Sequence, residues 1–567
     1  MNRLLTLLIV FVLLSLISIQ AQTFPRFAEF TTTSTQVRGF GGIVAGVDFD
    51  QDGMPEIYAC NTNMVDWCFE ITPRIFKFEW NGTEWVEVWA ASTTNIGQNT
   101  WPALTWGDTD EDGKPELYWF PVENFDPVGD TCTAATDLNP VRLYVYEYPG
   151  DGSDNMGVAD GLGGFLPNAQ TTITQDQSDP TRPFRAKVAD VDGDGKDEII
   201  FVDRQAGNNL TSDLADMHVG VVSVNEIPDN GGGLEVWTIE FRGEGDINLT
   251  DTGNKWDLAI LNNYIYLFDG NLTGGSKVWP VRYVSGNWET LPGQNGIAGG
   301  NSSFKGSEVV DINKDGTKEI IVAEWLGNAI GQGAKIWLLQ QVADSLVSTE
   351  IADLESLGAV RLQASSFGDI DADGNLDFIV GSRREANNTA KVPIFRVEYQ
   401  GGDITNPASY ISSILDSAYW DKNGDMETYV ANLDGDAADE VLYTQGYPRG
   451  NANDDPMPLI VLDLQFTPVS VELESSQVPS QFFLNQNFPN PFNPSTQIKF
   501  GITEAANVDL RIYDILGSEV AVVINNQYLA AGSYSTKFDA ANLASGIYIY
   551  KLTAGANTVS KKMQLLK

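Results

Sequence analysis

Five short segments carry carboxylates at a spacing suited to holding a hard cation. Each reads D-x-D/N-x-D-G-x-x-E/D. They are Asp48, Asp50, Asp52 and Glu56; Asp108, Asp110, Asp112 and Glu116; Asp190, Asp192, Asp194 and Glu198; Asp311, Asn313, Asp315 and Glu319; and Asp369, Asp371, Asp373 and Asp377. Calcium takes six to eight oxygens in a flexible shell. Side chains at positions 1, 3 and 5 converge when such a loop curls, and glycine at position 6 allows the bend. Position 7 offers a carbonyl, and the acid at position 9 closes the shell. An EF-hand closes at position 12, on a helix; here the acid opens an apolar strand. One copy alone would read equally well as a solvated Asp-Gly turn. Five copies with the same ninth acid read as about five structural Ca2+ sites.

Two further copies are irregular. Asp246-Ile-Asn248 runs on to Asp251, Gly253 and Asp257 with extra residues, and Asn432-Leu-Asp434-Gly-Asp436-Ala437 lacks the glycine before Glu440. Both are expected to add little to cation binding. The seven loops hold 28 acids against 5 bases, more than half of the net charge of −43. Without a cation those carboxylates would repel.

Other chemistry is largely excluded. The single histidine, His218, rules out two-histidine zinc sites and argues against a Ser-His-Asp triad. It is read as structural. Three cysteines cannot form a disulfide framework; Cys60–Cys68 is the expected pair, with Cys68–Cys132 the alternative. Trp67, Trp101 and Trp119 flank loops and could stack on a sugar, although packing is the commoner role. So acidic a chain is repelled by nucleic acid.

The elements that position these loops follow from the apolar runs around them. The seven starts, at 48, 108, 190, 246, 311, 369 and 432, lie 56 to 82 residues apart, room for four short strands each. In the first unit the runs 74–80 and 85–89 face each other across Asn81-Gly82, a hairpin signal. A string of modules would need linkers, and a solenoid a shorter period. The reading is all-β: a seven-bladed β-propeller over 22–465. The last unit lacks a fourth strand, and the extended stretch 26–32 is expected to supply it.

The units resemble the FG-GAP and VCBS repeats of integrin alpha-chain propellers and bacterial surface proteins, most clearly at Trp106-Gly107-Asp108 and Phe367-Gly368-Asp369. The resemblance implies structural calcium between the first and second strands of a blade. It also implies partners on the opposite face, beside the loops 61–73, 120–140, 203–217, 325–335, 382–391 and 444–457.

The chain ends are different in character. Arg3 followed by the apolar run 4–19 and Ala21 reads as a signal peptide, residues 1–21, with an N-terminal anchor as the alternative. Residues 466–483 read as a linker. Residues 484–567 hold five acids and seven bases and alternate as short strands, expected to form a small immunoglobulin-like β-sandwich. This segment closely resembles the C-terminal sorting domain of type IX secretion cargo. The matching residues are Asn487 to Pro494, Val508 to Asp514 with Gly517, Gly532-Ser533-Tyr534, Leu543, Gly546-Ile547-Tyr548 and Lys561-Lys562. The resemblance implies export by that machinery and a secreted or outer-membrane-attached protein, with no transmembrane segment in the mature chain. The reading that follows is a non-enzymatic, calcium-stabilised binding or adhesion protein with an extracellular protein or glycan ligand. The alternatives are a polysaccharide lyase-like enzyme on the same scaffold and a structural subunit of a surface assembly.

Overall fold

The computed structural model describes the chain from Arg26 to Lys567 except for connecting segments, the longest being 122–142, 204–218 and 445–457. Residues 1–25, and with them the expected signal peptide, lie outside the described residues. So do His218, Trp67, Trp101, Cys68 and Cys132.

Among the described residues, seven four-stranded antiparallel sheets follow one another up to Leu462. The first contains Phe40–Val47, Glu56–Asn61, Arg74–Trp80 and Trp85–Ser92. The second contains Ala103–Gly107, Glu116–Phe120, Leu143–Glu147 and Ala169–Thr171. The third runs from Pro183–Ala189 and Glu198–Asp203 to Val219–Val224 and Trp237–Arg242. The fourth runs from Lys255–Leu261 and Tyr264–Asp269 to Val278–Val284 and Asn287–Thr290. The fifth runs from Ser303–Val310 and Glu319–Leu326 to Lys335–Val342 and Ser345–Asp353. The sixth runs from Leu362–Gly368 and Asp377–Ser382 to Pro393–Tyr399 and Tyr410–Ser417.

The seventh sheet has only three strands from its own stretch of chain: Thr428–Ala431, Glu440–Thr444 and Leu459–Leu462. Its fourth is Arg26–Phe30, antiparallel to Leu459–Leu462 with Phe30 opposite Leu459. The two ends of the array are therefore joined, and an edge that would otherwise be open is paired.

The central strands read as continuous apolar runs because they are covered on both faces. Glu56–Asn61, Glu116–Phe120 and Asp377–Ser382 are buried at every position. The cores lie between successive sheets. One joins the first and second sheets through Tyr58, Trp89, Trp119 and Tyr146, and another joins the seventh and first through Phe40, Phe76, Leu442 and Leu459. The first strands also pack in a cycle, with Phe40–Val47 touching both Ala103–Gly107 and Thr428–Ala431. Glycine just before the loop permits this approach. A Cβ on Gly107 would stand 2.5 Å from Val188 Cγ1, and one on Gly368 2.4 Å from Val430 Cγ1.

Residues of all seven first strands line one cavity of about 580 Å3. Arg185, Lys187, Asp257 and Glu308 project into it, with Arg185 Nη2 2.7 Å from Glu308 Oε1.

The C-terminal region forms two more four-stranded sheets around a separate core that includes Ile498, Phe500, Leu510, Tyr550 and Leu565. One of its strands, Glu472–Ser475, falls inside the expected linker and pairs with Gly532–Asp539. The Asn-Phe-Pro-Asn-Pro segment is tied to this core: Asn487 Nδ2 donates to Thr496 Oγ1 at 2.9 Å, and the Asn487 amide donates to Tyr550 Oη at 2.9 Å. Phe492 and Gln564 are joined by a main-chain bond of 3.0 Å, so the segment also holds the last strand.

Two expectations change here. Cys60 is a free, fully buried thiol whose Sγ lies 3.6 Å from the Gly42 carbonyl, and it is not bonded to Cys68. Trp119 is fully buried against Tyr144 and cannot stack on a ligand.

Candidate metal centres

Six of the seven sheets join their first and second strands through an acidic loop. The five regular loops share one hydrogen-bond scheme. Both turns of each loop use left-handed backbone. Position 4 has positive φ in Gln51, Glu111, Gly193, Lys314 and Ala372, and position 6 has it in the five glycines. The carboxylate at position 1 accepts the glycine amide: Gly53 to Asp48 at 3.0 Å, Gly113 to Asp108 at 3.0 Å, Gly195 to Asp190 at 3.1 Å, Gly316 to Asp311 at 2.7 Å and Gly374 to Asp369 at 2.8 Å. The carboxylate at position 9 reaches back to the amide at position 2. Phe49 donates to Glu56 at 2.9 Å, Thr109 to Glu116 at 3.1 Å, Val191 to Glu198 at 2.9 Å and Ile370 to Asp377 at 3.0 Å. Ile312 makes the same bond to Glu319.

Every residue expected to bind cation at positions 1, 3, 5 and 9 therefore belongs to a loop of this form. In the second sheet, single oxygens of Asp108, Asp110, Asp112 and Glu116 all lie within 4.8 Å of one another. Asp190, Asp192 and Asp194 converge in the same way, as do Asp48, Asp50 and Glu56.

The electrostatics of these loops favour a positive charge beside the ninth acid. Burial pushes Glu116 up to about 9, Glu198 to about 8 and Glu319 to about 7, with neighbouring acids adding to the effect. One oxygen each of Glu116 and Glu319 is buried yet accepts no hydrogen bond. A divalent cation coordinated there would satisfy both needs, so these residues fit calcium.

The two irregular copies part ways. The copy at 246 is not a loop between strands of one sheet. Among its described residues, Asp257 sits within the strand Lys255–Leu261, is buried, and accepts the amides of Gly306 at 2.5 Å and Ser307 at 2.6 Å. The first and second strands of the fourth sheet are joined instead by Asn262-Asn263, both with positive φ, in a two-residue turn. The extra residues in the sequence pattern reflect this difference.

The copy at 432 keeps the loop. Leu433 donates to Glu440 at 2.5 Å, and Asn432 closes the tail by donating to the Asp436 and Ala438 carbonyls. The closing bonds thus run the other way from those of the regular loops, from the side chain at position 1 to main-chain carbonyls. Its acids are deeply buried: Asp434 is 4% exposed, Glu440 0%, and Asp463, just after the third strand, 2%. Burial, then Asp434, raises Glu440 well above the usual carboxylate range, and its Oε1 accepts no hydrogen bond. This loop therefore still gathers buried acids, although an amide stands at its first position.

The third strands supply residues that the loop motif does not contain. Opposite the ninth acid stand Glu147 in the second sheet, opposite Glu116, and by the same register Glu79 and Asp463 in the first and seventh. In the first and sixth sheets a base joins them. Lys77 Nζ lies 2.6 Å from Asp50 Oδ2 and 3.3 Å from Glu56 Oε1, and also pairs with Glu79. Arg396 Nη2 lies 2.6 Å from Asp371 Oδ2 and its Nε 2.6 Å from Asp377 Oδ1. The signals were present in Phe76-Lys77-Phe78-Glu79 and Phe395-Arg396-Val397-Glu398, a charged pair in an otherwise apolar strand.

Comparison with known proteins agrees with both ends of this architecture. Residues 48–119 match an FG-GAP-like repeat, and residues 486–565 match a secretion system C-terminal sorting domain. The sorting domain, of the type IX kind, implies secretion or attachment at the outer-membrane surface and points to that secretion machinery. No helix among the described residues is long and apolar enough to cross a membrane. A crystal structure of the NanB sialidase from Streptococcus pneumoniae, in complex with 2-[(3-chlorobenzyl)ammonio]ethanesulfonate, is similar over 77% of this chain and 70% of its own, with 11% identity and a TM-score of 0.35. No curated protein matches the chain.

Proposed function

We propose that residues 26–462 form a closed seven-bladed β-propeller whose acidic loops bind structural calcium, and that the protein is a non-enzymatic binding or adhesion protein displayed or released outside the cell. The C-terminal pair of sheets is then an immunoglobulin-like sandwich that acts as the export signal. The observation that carries this reading is the repeated loop: five sheets place the same carboxylate scheme between their first two strands, a sixth keeps an acidic variant of it, and the sheets are tied end to end by Arg26–Phe30. Calcium there would hold strand junctions rather than do chemistry. The face opposite the loops remains for a protein or glycan ligand. A binding array of glycans and matrix proteins, probed with the calcium-loaded and the chelated protein, tests the reading. Calcium-dependent capture of a defined ligand supports it, and an empty array counts against it.

A second reading keeps the scaffold and adds a reaction. Lyase-like chemistry needs a base and a carboxylate converging in a pocket. Arg185, Lys187 and Glu308 meet in the shared cavity, with Lys187 Nζ 3.5 Å from Glu308 Oε2. Release of unsaturated products from uronate polysaccharides, lost in Glu308→Gln, would favour this reading over simple binding.

A further inference from the structure

One register position separates the six loops into two kinds. It lies on the third strand, opposite the residue two beyond the ninth acid. The pairs are Tyr58 with Lys77, Tyr118 with Val145, Ile200 with Val221, Ile321 with Leu338, Ile379 with Arg396, and Leu442 with Val461. Four sheets place an aliphatic side chain there. The first and sixth place a base, and both bases reach the acids at positions 3 and 9. Both are buried, with side-chain exposures of 0% for Lys77 and 7% for Arg396. Both are followed two residues later by an acid they also contact, Glu79 and Glu398.

The ninth acid is used differently in the two kinds. Glu56 accepts Phe49 with one oxygen and faces Lys77 with the other. Asp377 accepts Ile370 with one oxygen and Arg396 with the other. Glu116, Glu319 and Glu440 each retain a buried oxygen that accepts no hydrogen bond. The group that closes a calcium shell is thus already engaged in the first and sixth loops, whereas Lys114 in the second reaches Asp112 and Glu147 from the loop itself and leaves Glu116 open.

We infer that Lys77 and Arg396 are the resident cations of the first and sixth loops, so that these two loops are closed without metal. Calcium is then required only in the second, third, fifth and seventh sheets. This rests on the calcium reading above. A tethered cation needs no translational entropy to stay bound. To displace it, calcium would have to drive a buried charge into the surrounding apolar strand, which is costly. The guanidinium of Arg396 also presents a planar fork to two carboxylates, a geometry calcium does not need and lysine cannot copy.

Calcium bound per chain, measured by equilibrium dialysis on the full exported chain, decides the matter. Lys77→Ala and Arg396→Ala should each gain one ion over the wild type, while Lys77→Arg should gain none. Asp112→Asn should lose one ion, and Asp52→Asn, at the same position in the first loop, should lose none. A wild type that binds no calcium, beside alanine variants that do, rejects the calcium reading but upholds the resident cations. Loss of an ion in Asp52→Asn, or no gain in either folded alanine variant, overturns the inference. So does a Lys77→Ala protein whose unfolding millimolar calcium fails to reverse.

Discussion

Arg26 and Asp416 lie 390 positions apart in the chain, with Arg26 Nε 2.7 Å from Asp416 Oδ2. Asp416 also accepts the Tyr443 hydroxyl at 2.5 Å, so one carboxylate links the N-terminal strand, the sixth sheet and the seventh. Arg26→Ala should destabilise the chain by about 1–2 kcal/mol, the usual loss when a partly buried charged hydrogen bond is broken. Deletion of the strand itself should cost more, because it exposes the whole Leu459–Leu462 edge. Urea unfolding of the two variants checks the order; equal losses would mean the strand contributes nothing beyond its arginine.

Calcium should raise the melting temperature, and the effect should depend on which aspartate is removed. Extracellular modules bind at roughly 0.1–1 mM. At ten times the dissociation constant each filled loop adds about 1.4 kcal/mol by mass action. Asp192→Ala should therefore lose part of the calcium-induced shift. Asp434→Ala should as well, since Asp434 and Glu440 are buried beside each other in the loop at 432. Asp257→Ala should lower the melting temperature equally with and without calcium, because Asp257 serves the Gly306 and Ser307 amides. A calcium-specific loss at Asp257 would contradict its structural role.

In calcium-free buffer stability should fall as pH rises. Glu116, Glu198 and Glu319 are held by burial at about 9, 8 and 7, above the ordinary 4.5. The folded chain then binds protons more tightly than the unfolded one. That contribution is complete below about pH 4.5 and is lost as pH rises through about 7 to 9. Melting of the chelated protein from pH 5 to 9 should show a decline that millimolar calcium flattens. A profile unaffected by calcium would mean that the cation does not reach these acids.

The Cys60 thiol should be inert until the chain unfolds. It is fully buried, and burial raises its pKa, so little reactive thiolate forms. A double Cys68→Ser, Cys132→Ser variant should react with a thiol reagent only in denaturant. Prompt labelling of the native variant would show that the first sheet opens.

Export should require more of the tail than its motif. A chain ending at 465 should fold in its N-terminal region and remain in the periplasm. A chain lacking only 484–567 should be less well behaved, because Glu472–Ser475 loses the strand Gly532–Asp539 with which it pairs. Fractionation of cells making both truncations, with proteolysis of each product, tests this. Surface delivery of either would refute the sorting role.

Much of this was legible in the sequence because it was repeated. The spacing of Asp190, Asp192, Asp194 and Glu198, recurring five times, marks both the loop and the strands it joins. The missing fourth strand of the last unit was visible as a deficit, and Arg26–Phe30 fills it. What could not be read was any role set by a partner distant in the chain. Asp257 looked like the last acid of an irregular loop, whereas it accepts main-chain amides from the neighbouring fifth sheet. Lys77 and Arg396 lie outside the loop motif, and only antiparallel register brings their third strands beside the loop. Ala437 suggested a broken loop, since the compensating donor is a side chain, Asn432.

The Asn262-Asn263 turn leaves the acidic rim incomplete. A full ring of equal loops would present the same potential from every side. The fourth position is silent and the fifth is weak, because Lys314 and Lys318 offset Asp311, Asp315 and Glu319, so the acidic charge is concentrated on the loops of the other five sheets. A cationic partner approaching edge-on would meet a strong arc and a weak one, and screening at physiological salt confines that difference to about 8 Å from the surface. One side of the molecule is thereby marked by two asparagines and two lysines rather than by any added part.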